Sequence, residues 1–223
     1  MIYQKEIQSI REQLIGYISS QKTLFITSSF QTHSIPMLHI IGQIDRKIPI
    51  YFLNTGYLFP QTIVYKDLIK DIYGLNIMDI KSTVPRSMQK DGGGKLLFTS
   101  DPDHCCDINK VQPMEPLLNK YDIWINGVRG DQNENRRKMG MEMMTPQGAM
   151  RYHPMLNWTN KMIWEYIVEY DIPRHPMDAE GYLSIGCEPC TRKFDADELG
   201  DERMARWFGM AKTECGLHTE LIK

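Results

Sequence analysis

The sequence lacks a long apolar run, a strong net charge and an abundance of cysteine. No stretch approaches the roughly 20 apolar residues of a membrane-spanning helix, and the first residues, MIYQKE, are polar where a secretory signal would be apolar. Lys and Arg number 26 and Asp and Glu 28, giving a formal net charge of -2. Non-specific nucleic-acid binding needs a basic field that this chain does not have. We therefore predict a cytoplasmic protein that binds neither membranes nor nucleic acids.

Five cysteines in 223 residues are too few and too unevenly placed for a disulfide framework. Cys105 and Cys106 are adjacent, Cys187 and Cys190 form a C-x-x-C motif, and Cys215 stands alone near the end. This spacing indicates a set of four and one separate thiol. Four thiolates suit zinc or an iron-sulfur cluster. The adjacent pair favours iron, because neighbouring residues reach two corners of a multi-iron cluster more easily than two vertices around one ion.

Strand-like and helical patterns alternate through the first half of the chain. Short apolar runs predict strands at residues 23–27, 50–53, 77–80 and 123–126. Helical spacing covers about the first twenty residues, a run through Met37 to Ile41, about 60–73 with Gly74 as C-cap, and 158–170 with Thr159 as N-cap. The pattern predicts an α/β fold, a parallel sheet with helices on both faces. We expect one domain over 1–194 and a mobile, charged C-terminal tail over 195–223.

Polar loops follow three of the predicted strands. Ser28, Ser29 and Phe30 come after the first, Thr55 and Gly56 after the second, and a Val-Arg pair ending at Arg129 after the strand at 123–126. Ligands of parallel sheets bind beyond the carboxyl ends of the strands. Hydroxyls and backbone N–H groups at a strand-to-helix turn can hold an anion. The three loops therefore predict one pocket for an anionic ligand.

The C-terminal tail carries a second group of candidate residues. Cys215 precedes a flexible glycine, and His218 and a lysine nearby could favour its thiolate. Arg203, Arg206 and Trp207 precede it, and they would supply two cations and an aromatic face for a nucleotide. A solvated charged helix with an incidental cysteine is the other interpretation of this segment.

Together these motifs resemble the assimilatory adenylylsulfate and phosphoadenylylsulfate reductases, from about residue 23 to 218. The resemblance rests on SSF at 28–30, LNTGYLFP at 53–60, DPDHCC at 101–106 with Lys110 following, GVR at 127–129, GYLSIGCEPCT at 181–191 and KTECGLH at 212–218. Their order and number leave little room for chance.

The resemblance implies an adenine-nucleotide alpha-hydrolase-like fold and an enzyme of sulfate assimilation and cysteine biosynthesis. It implies reduction of adenosine 5'-phosphosulfate to sulfite and AMP, with Cys215 as the nucleophile that forms an S-sulfonate. Thioredoxin or a glutaredoxin would be the reductant, and the chain could form a homo-oligomer. A 4Fe-4S cluster would be bound by Cys105, Cys106, Cys187 and Cys190. The substrate would be bound by Ser28, Ser29, Phe30, Thr55, Gly56, Lys110, Arg129, Arg203, Arg206 and His218.

Three positions depart from the family pattern. Asn109 and Gly130 stand where basic residues are common, which removes positive charge from the expected phosphate pocket, and Ala205 replaces a usual glycine. A reductase of the 3'-phosphorylated nucleotide is the nearest alternative. An ATP-dependent thiolation enzyme with zinc is another, although such enzymes usually carry a Ser-Gly-Gly-x-Asp-Ser loop where this chain has SSFQTHS at 28–34. A structural metal-binding module would leave the ECGLH ending unexplained.

Overall fold

The computed structural model describes residues 2–194, 205–207, 209–210, 212, 214–218 and 221. Its strands are β1 Leu24–Thr27, β2 Ile50–Leu53, β3 Ile77–Ile80, β4 Ile123–Asn126, β5 Glu142–Met144 and β6 Met150–Tyr152. Its α-helices are α1 Gln4–Ser19, α2 Ile35–Ile44, α3 Pro60–Tyr73, α4 Leu97–Ser100, α5 Pro102–Cys106, α6 Gln112–Lys120, α7 Glu134–Arg137 and α8 Asn160–Glu169. A π-helical turn, Asp107–Val111, joins α5 to α6.

The six strands form one sheet in the order β3-β2-β1-β4-β6-β5. Pairing is parallel from β3 to β6, whereas β5 runs antiparallel to β6 at one edge. Strands β2 and β3 lie on one side of β1, and β4, β6 and β5 lie on the other. The boundary between β1 and β4 is therefore a topological switch point, where a crevice forms at the carboxyl ends of the strands. The four predicted strands are confirmed, and β5 and β6 are additions that make the sheet mixed.

Successive residues of β1 point to opposite faces of the sheet, so each face has its own core. Leu24 and Ile26 belong to a large apolar cluster with residues of α1, α2, α3 and α8. Phe25 packs instead with Trp124, with residues of α6 and with Leu217 and Leu221 of the C-terminal tail. Helices therefore cover both faces, as predicted.

Two predicted helix ends are confirmed by their geometry. Gly74 ends α3 in the left-handed conformation, with φ 61°, which glycine adopts without steric cost. Thr159 precedes α8, and its hydroxyl accepts a hydrogen bond from the Met162 backbone N–H at 3.3 Å. Among the described residues, no helix combines the length and apolar character needed to cross a bilayer.

The described parts of the tail pack against the rest of the chain. The Trp207 N–H donates to the Cys190 carbonyl at 3.1 Å, and the Arg192 N–H donates to the Ala205 carbonyl at 3.0 Å. Leu217 is 9% exposed. These contacts hold the described tail residues against the 190–192 segment and against the sheet. The division at residue 194 and the mobility of the tail stay predictions.

Candidate active site

The loops after β1, β2 and β4 surround a cavity of about 420 Å³, here called the large cavity. The C-terminal tail closes part of it. The predicted site residues that line it are Ser28, Ser29, Thr55, Lys110, Arg129, Cys187, Arg206, Cys215 and His218. Phe30 and Gly56 are not among the lining residues, and Arg203 lies outside the described residues.

The loop after β1 contains an aromatic residue, Phe30, whose ring is buried. Phe30 has a left-handed backbone, φ 53°, and its side chain is 0% exposed against Phe52, at 5.4 Å between ring centroids. The Phe30 N–H donates to the Ser28 hydroxyl at 3.1 Å, and that hydroxyl donates to Ser34 at 3.2 Å. Phe30 therefore shapes the loop that presents Ser28 and Ser29, while its own ring lies in the core.

The loop after β2 joins the cavity to the cysteine motif. The Thr55 hydroxyl lies 3.3 Å from Cys187 Sγ and accepts from the Tyr57 N–H at 3.2 Å. Gly56 has φ 74°, and its carbonyl accepts a hydrogen bond from Arg86. A Cβ at Gly56 would meet Cδ of the exposed, flexible Arg86 side chain at 2.9 Å, so it is the positive φ that favours glycine here.

Four cationic side chains from Lys and Arg line the large cavity, and they differ in their partners. Arg129 donates from Nε to Asp131 at 2.9 Å, and Arg136 forms an ion pair with Glu214. Within the described part of the chain, no carboxylate forms a salt bridge with Lys110 or Arg206. These two charges are available to an anionic ligand, beside the serine hydroxyls.

Arg206 is seated against the loop that contains the second cysteine pair. Its Nε donates to the Cys190 carbonyl at 3.1 Å, and its guanidinium lies 4.7 Å from the Trp207 ring centroid. A Cβ at Gly186 would meet Arg206 Nη2 at 2.1 Å, a distance that no atom pair can accept. Gly186 therefore lets this arginine reach the cavity.

Cys215 lies at the cavity within hydrogen-bonding reach of Cys106. This hydrogen bond lowers the pKa of the Cys215 thiol, and the charges of Lys110 and Arg206 lower it further, against the opposing effect of burial. The same bond and burial raise the pKa of Cys106. The charges of Lys110 and Arg206 remain beside Cys215 whatever Cys106 binds, and they favour the thiolate, which is the form that attacks an electrophile.

A second, small cavity is lined by all four remaining cysteines, Cys105, Cys106, Cys187 and Cys190. Burial raises the pKa of Cys105 to about 11, with a further contribution from Cys187 and Cys190. In the described residues no three His, Cys, Asp or Glu side chains converge on a position for a single metal ion. Four buried thiols around one space are a donor set that suits zinc or an iron-sulfur cluster.

Lys110 borders both cavities, as do Thr55 and Cys187. It lies in the π-helical turn Asp107–Val111, a distortion of helices that is frequent at functional sites. Burial lowers the pKa of Lys110, but Cys187, Cys215 and Cys106 together raise it above its usual value. The lysine therefore stays charged between the thiols and the large cavity.

The three departures from the family pattern have different surroundings. Asn109 is 2% exposed and exchanges two side-chain hydrogen bonds with Gln89, at 2.7 and 3.0 Å, so a neutral amide pair replaces a charge. A Cβ at Gly130 would lie 3.2 Å from the Leu156 carbonyl oxygen. Ala205 is buried. None of the three lines the large cavity.

Two buried arginines of the site were missed by sequence reasoning. Arg136, on α7, lines the large cavity, and Arg151, on β6, contacts the tail. Arg136 follows Arg129 closely after the same strand, which is a usable signal. The sequence contains no comparable signal for Arg151, because β6 has only three residues and so short a strand shows no alternation of apolar and polar side chains.

Comparison with known proteins places these features in a family. Residues 23–193 match the model of the phosphoadenosine phosphosulfate reductase domain. The chain is 34% identical to an adenosine 5'-phosphosulfate reductase of Chelativorans sp., over 95% of this chain and 85% of that one. It is 35% identical to a phosphoadenosine 5'-phosphosulfate reductase of Gloeobacter violaceus, over 87% of this chain and 82% of that one.

The fold is similar to that of a solved relative. A phosphoadenylyl-sulfate reductase of Candida auris superposes with a TM-score of 0.66, over 83% of this chain and 95% of that chain, at 19% identity. This agreement bears out the predicted adenine-nucleotide alpha-hydrolase-like architecture.

Proposed function

The chain belongs to the phosphoadenosine phosphosulfate reductase domain family and is an oxidoreductase; on this premise we propose that it reduces adenosine 5'-phosphosulfate to sulfite and AMP. The observation that carries the proposal is the meeting of Cys215, Lys110, Arg206 and the Ser28 loop around one cavity. A nucleophilic thiol and cations at one place are what transfer of a sulfonate group requires.

Binding comes first in the proposed sequence of events. The phosphosulfate lies among the hydroxyls of Ser28 and Ser29 and the charges of Arg129, Arg206 and Lys110, which neutralise it before an anionic nucleophile approaches. Thr55 and His218, which also line the cavity, contribute further polar contacts.

The Cys215 thiolate then attacks the sulfur of the sulfate group. A bond forms between Cys215 Sγ and that sulfur, the bond from sulfur to the bridging oxygen breaks, and AMP leaves with the electron pair. The product is an S-sulfonate on Cys215. Lys110 and Arg206 balance the negative charge that gathers around the transferred group.

Release of sulfite needs two electrons from a dithiol. One thiol of the reductant attacks Cys215 Sγ, sulfite departs with the electron pair of the S–S bond, and a mixed disulfide forms. The second thiol of the reductant then restores the Cys215 thiol. We propose thioredoxin or a glutaredoxin as that dithiol, in the cytoplasm and in the service of cysteine biosynthesis. The other four cysteines are proposed as cluster ligands, so the thiols for this exchange come from the reductant.

We further propose that Cys105, Cys106, Cys187 and Cys190 bind a 4Fe-4S cluster. The donor set fits, because four buried thiols line one cavity and the Thr55 hydroxyl and Asn109 amide lie beside two of the sulfur atoms, 3.3 Å from Cys187 and 3.6 Å from Cys105. When bound, the cluster would fasten α5 to the 187–190 turn and place its charge next to Lys110.

Steady-state sulfite release with each sulfonucleotide, in the presence of thioredoxin, tests the substrate. We expect a higher kcat/KM for adenosine 5'-phosphosulfate than for its 3'-phosphorylated form, because paired cysteine motifs such as those of this chain accompany that substrate in the family that the sequence resembles. The Gloeobacter relative carries the name of the other activity. A higher kcat/KM for the 3'-phosphorylated nucleotide would reverse the assignment.

Metal content after anaerobic purification tests the cluster. We expect a brown protein with about four iron and four acid-labile sulfide per chain. Cys187→Ser should lose both iron and activity, whereas the matched Cys215→Ser variant should keep its iron. Stoichiometric zinc without iron would overturn the cluster and favour a thiolation enzyme.

A further inference from the structure

Two buried arginines contact the segment that carries Cys215, one on each side of the cysteine. Arg136 lies on α7 and is 5% exposed, and Arg151 lies on β6 and is 0% exposed. A buried guanidinium destabilises the fold unless its hydrogen bonds are satisfied. Tail residues supply most of the acceptors for these two arginines, together with Gln132 for Arg136, while Arg151 Nε has no acceptor among the described residues.

Arg136 binds the residue that precedes the cysteine. Its Nε donates to Glu214 Oε2 at 2.9 Å and its Nη2 to Glu214 Oε1 at 3.0 Å, a bidentate pair in which both side chains are buried. Asn133 adds a hydrogen bond to the same carboxylate at 3.0 Å. Oε1 also accepts the Cys215 backbone N–H at 2.9 Å. One carboxylate thus links α7 to the backbone of the nucleophile.

Arg151 binds the residues that follow the cysteine. Its Nη1 donates to the Leu217 carbonyl at 3.1 Å, and its Nη2 contacts His218 Nδ1. The guanidinium lies over Trp124, 4.5 Å from the ring centroid. In the described residues no carboxylate forms a salt bridge with it. Burial, together with the charge of Arg136, lowers the pKa of Arg151 to about 9.

We propose that Arg136 and Arg151 are positioning residues that hold the Cys215 segment in register with the large cavity. Contacts at Glu214 and at Leu217 and His218 fix both ends of the short stretch that contains Cys215. A shift of about 1 Å in an attacking atom can lower a rate by roughly 100-fold. The catalytic part of this inference rests on the proposed function, whereas the contacts themselves do not.

Hydrogen exchange tests the positioning without any turnover. The full chain, purified anaerobically with its native metal content, is compared with Arg136→Gln, Arg151→Gln and the matched control Arg137→Gln, whose arginine is an exposed neighbour on the same helix. We expect peptides covering 212–221 to exchange at least about tenfold faster in the two variants and not in the control, with β1 unchanged. Wild-type exchange of that peptide in both variants would overturn the proposal.

Steady-state kinetics give a second readout. Both glutamine variants should lower kcat by roughly 10- to 100-fold while the KM for the sulfonucleotide changes by less than about 3-fold. Arg136→Lys and Arg151→Lys should recover part of the rate, because each keeps the charge. A rise in KM with unchanged exchange would contradict positioning and indicate substrate contact. If the wild type turned over neither nucleotide, the proposed function would fail while the exchange experiment still decided this inference.

Glu214→Gln covers the case in which an arginine variant does not fold, because the change lies in the tail and leaves the buried arginines in place. It should accelerate exchange of the same peptide. In the Arg136→Gln/Glu214→Gln double variant, exchange should be no faster than in the more severe single variant, since both changes break one interaction. Independent, additive effects would contradict a shared contact.

Discussion

The two cavities of this protein meet at Thr55, Lys110 and Cys187 but are lined for different chemistry. The large cavity has serine hydroxyls, cations and one thiol whose pKa is lowered. The small cavity contains four thiols, and burial raises the pKa of Cys105 and Cys190 there. The difference is what the proposal requires, in which one cysteine reacts with the substrate and the other four bind a cluster.

Cys106 is the cysteine of the small cavity that contacts Cys215 of the large cavity. The charged groups and thiols that shift its pKa are Cys215, Lys110 and Lys212, whereas Cys187 and Cys190 shift the pKa of Cys105. The proposed nucleophile therefore lies beside one of the proposed cluster ligands. Changes in the shared residues should affect both cavities, and changes elsewhere should affect one.

The largest effect is expected from Cys215→Ser, which changes the large cavity alone. Serine keeps the size of the side chain but is a far poorer nucleophile near neutral pH, so sulfite release should fall at least about 1,000-fold. Iron content and AMP binding should stay close to wild type, measured by metal analysis and calorimetry. Substantial turnover by the serine variant would remove Cys215 from the chemistry.

Lys110→Met should have the next largest effect, because this side chain borders both cavities. Loss of the charge should lower kcat/KM by roughly 100-fold, in the range found when a single stabilising group is removed. The thiolate of Cys215 should also form at higher pH, seen as an upward shift in the pH dependence of its alkylation. Lys110→Arg should recover part of the activity. Lys95 is an exposed lysine that follows three glycines at 92–94, and Lys95→Met is the matched control that should behave as wild type.

The smallest effect on catalysis is expected at His153, which lines neither cavity. Burial, and then the charge of Arg151, lowers its pKa to about 4, below the value of about 6.5 in an unfolded chain. The unfolded state therefore binds the proton more readily, and the free energy of unfolding should fall as the pH drops from about 6.5 to 4.

Denaturant titrations at several pH values measure this loss, which should be on the order of a few kcal/mol. His153→Gln should reduce the slope in that range. An unchanged slope in the variant would show that His153 is not held neutral by the fold.

Much of the sheet could be predicted because its strands have strong local signals. The apolar run Ile50–Leu53 lies between polar residues, and Gly74 ends its helix where a left-handed residue is needed. The short strands β5 and β6 could not be predicted, since three residues give no periodicity and Glu142 and Arg151 interrupt the apolar pattern. Strand β6 is stabilised by pairing with β4, and β5 by pairing with β6, which are tertiary effects.

The part of the candidate site that could be predicted from the sequence consists of residues that directly follow predicted strands. Ser28, Thr55 and Arg129 come together because parallel strands end at one edge. The ring of Phe30 lies in the core, because a positive φ at this residue turns the side chain inward. Nothing local to Arg151 shows that a residue 66 positions away receives its hydrogen bond.

The central claim is that Cys215 alone carries the sulfonate. Its most direct test is to mix the anaerobic enzyme with adenosine 5'-phosphosulfate, without any thiol reductant, and to measure the masses of its peptides. We expect the added mass of one sulfonate on the peptide that contains Cys215, with release of AMP in equal amount. Sulfonate on Cys105, Cys106, Cys187 or Cys190, or AMP release without any sulfonated peptide, would contradict it.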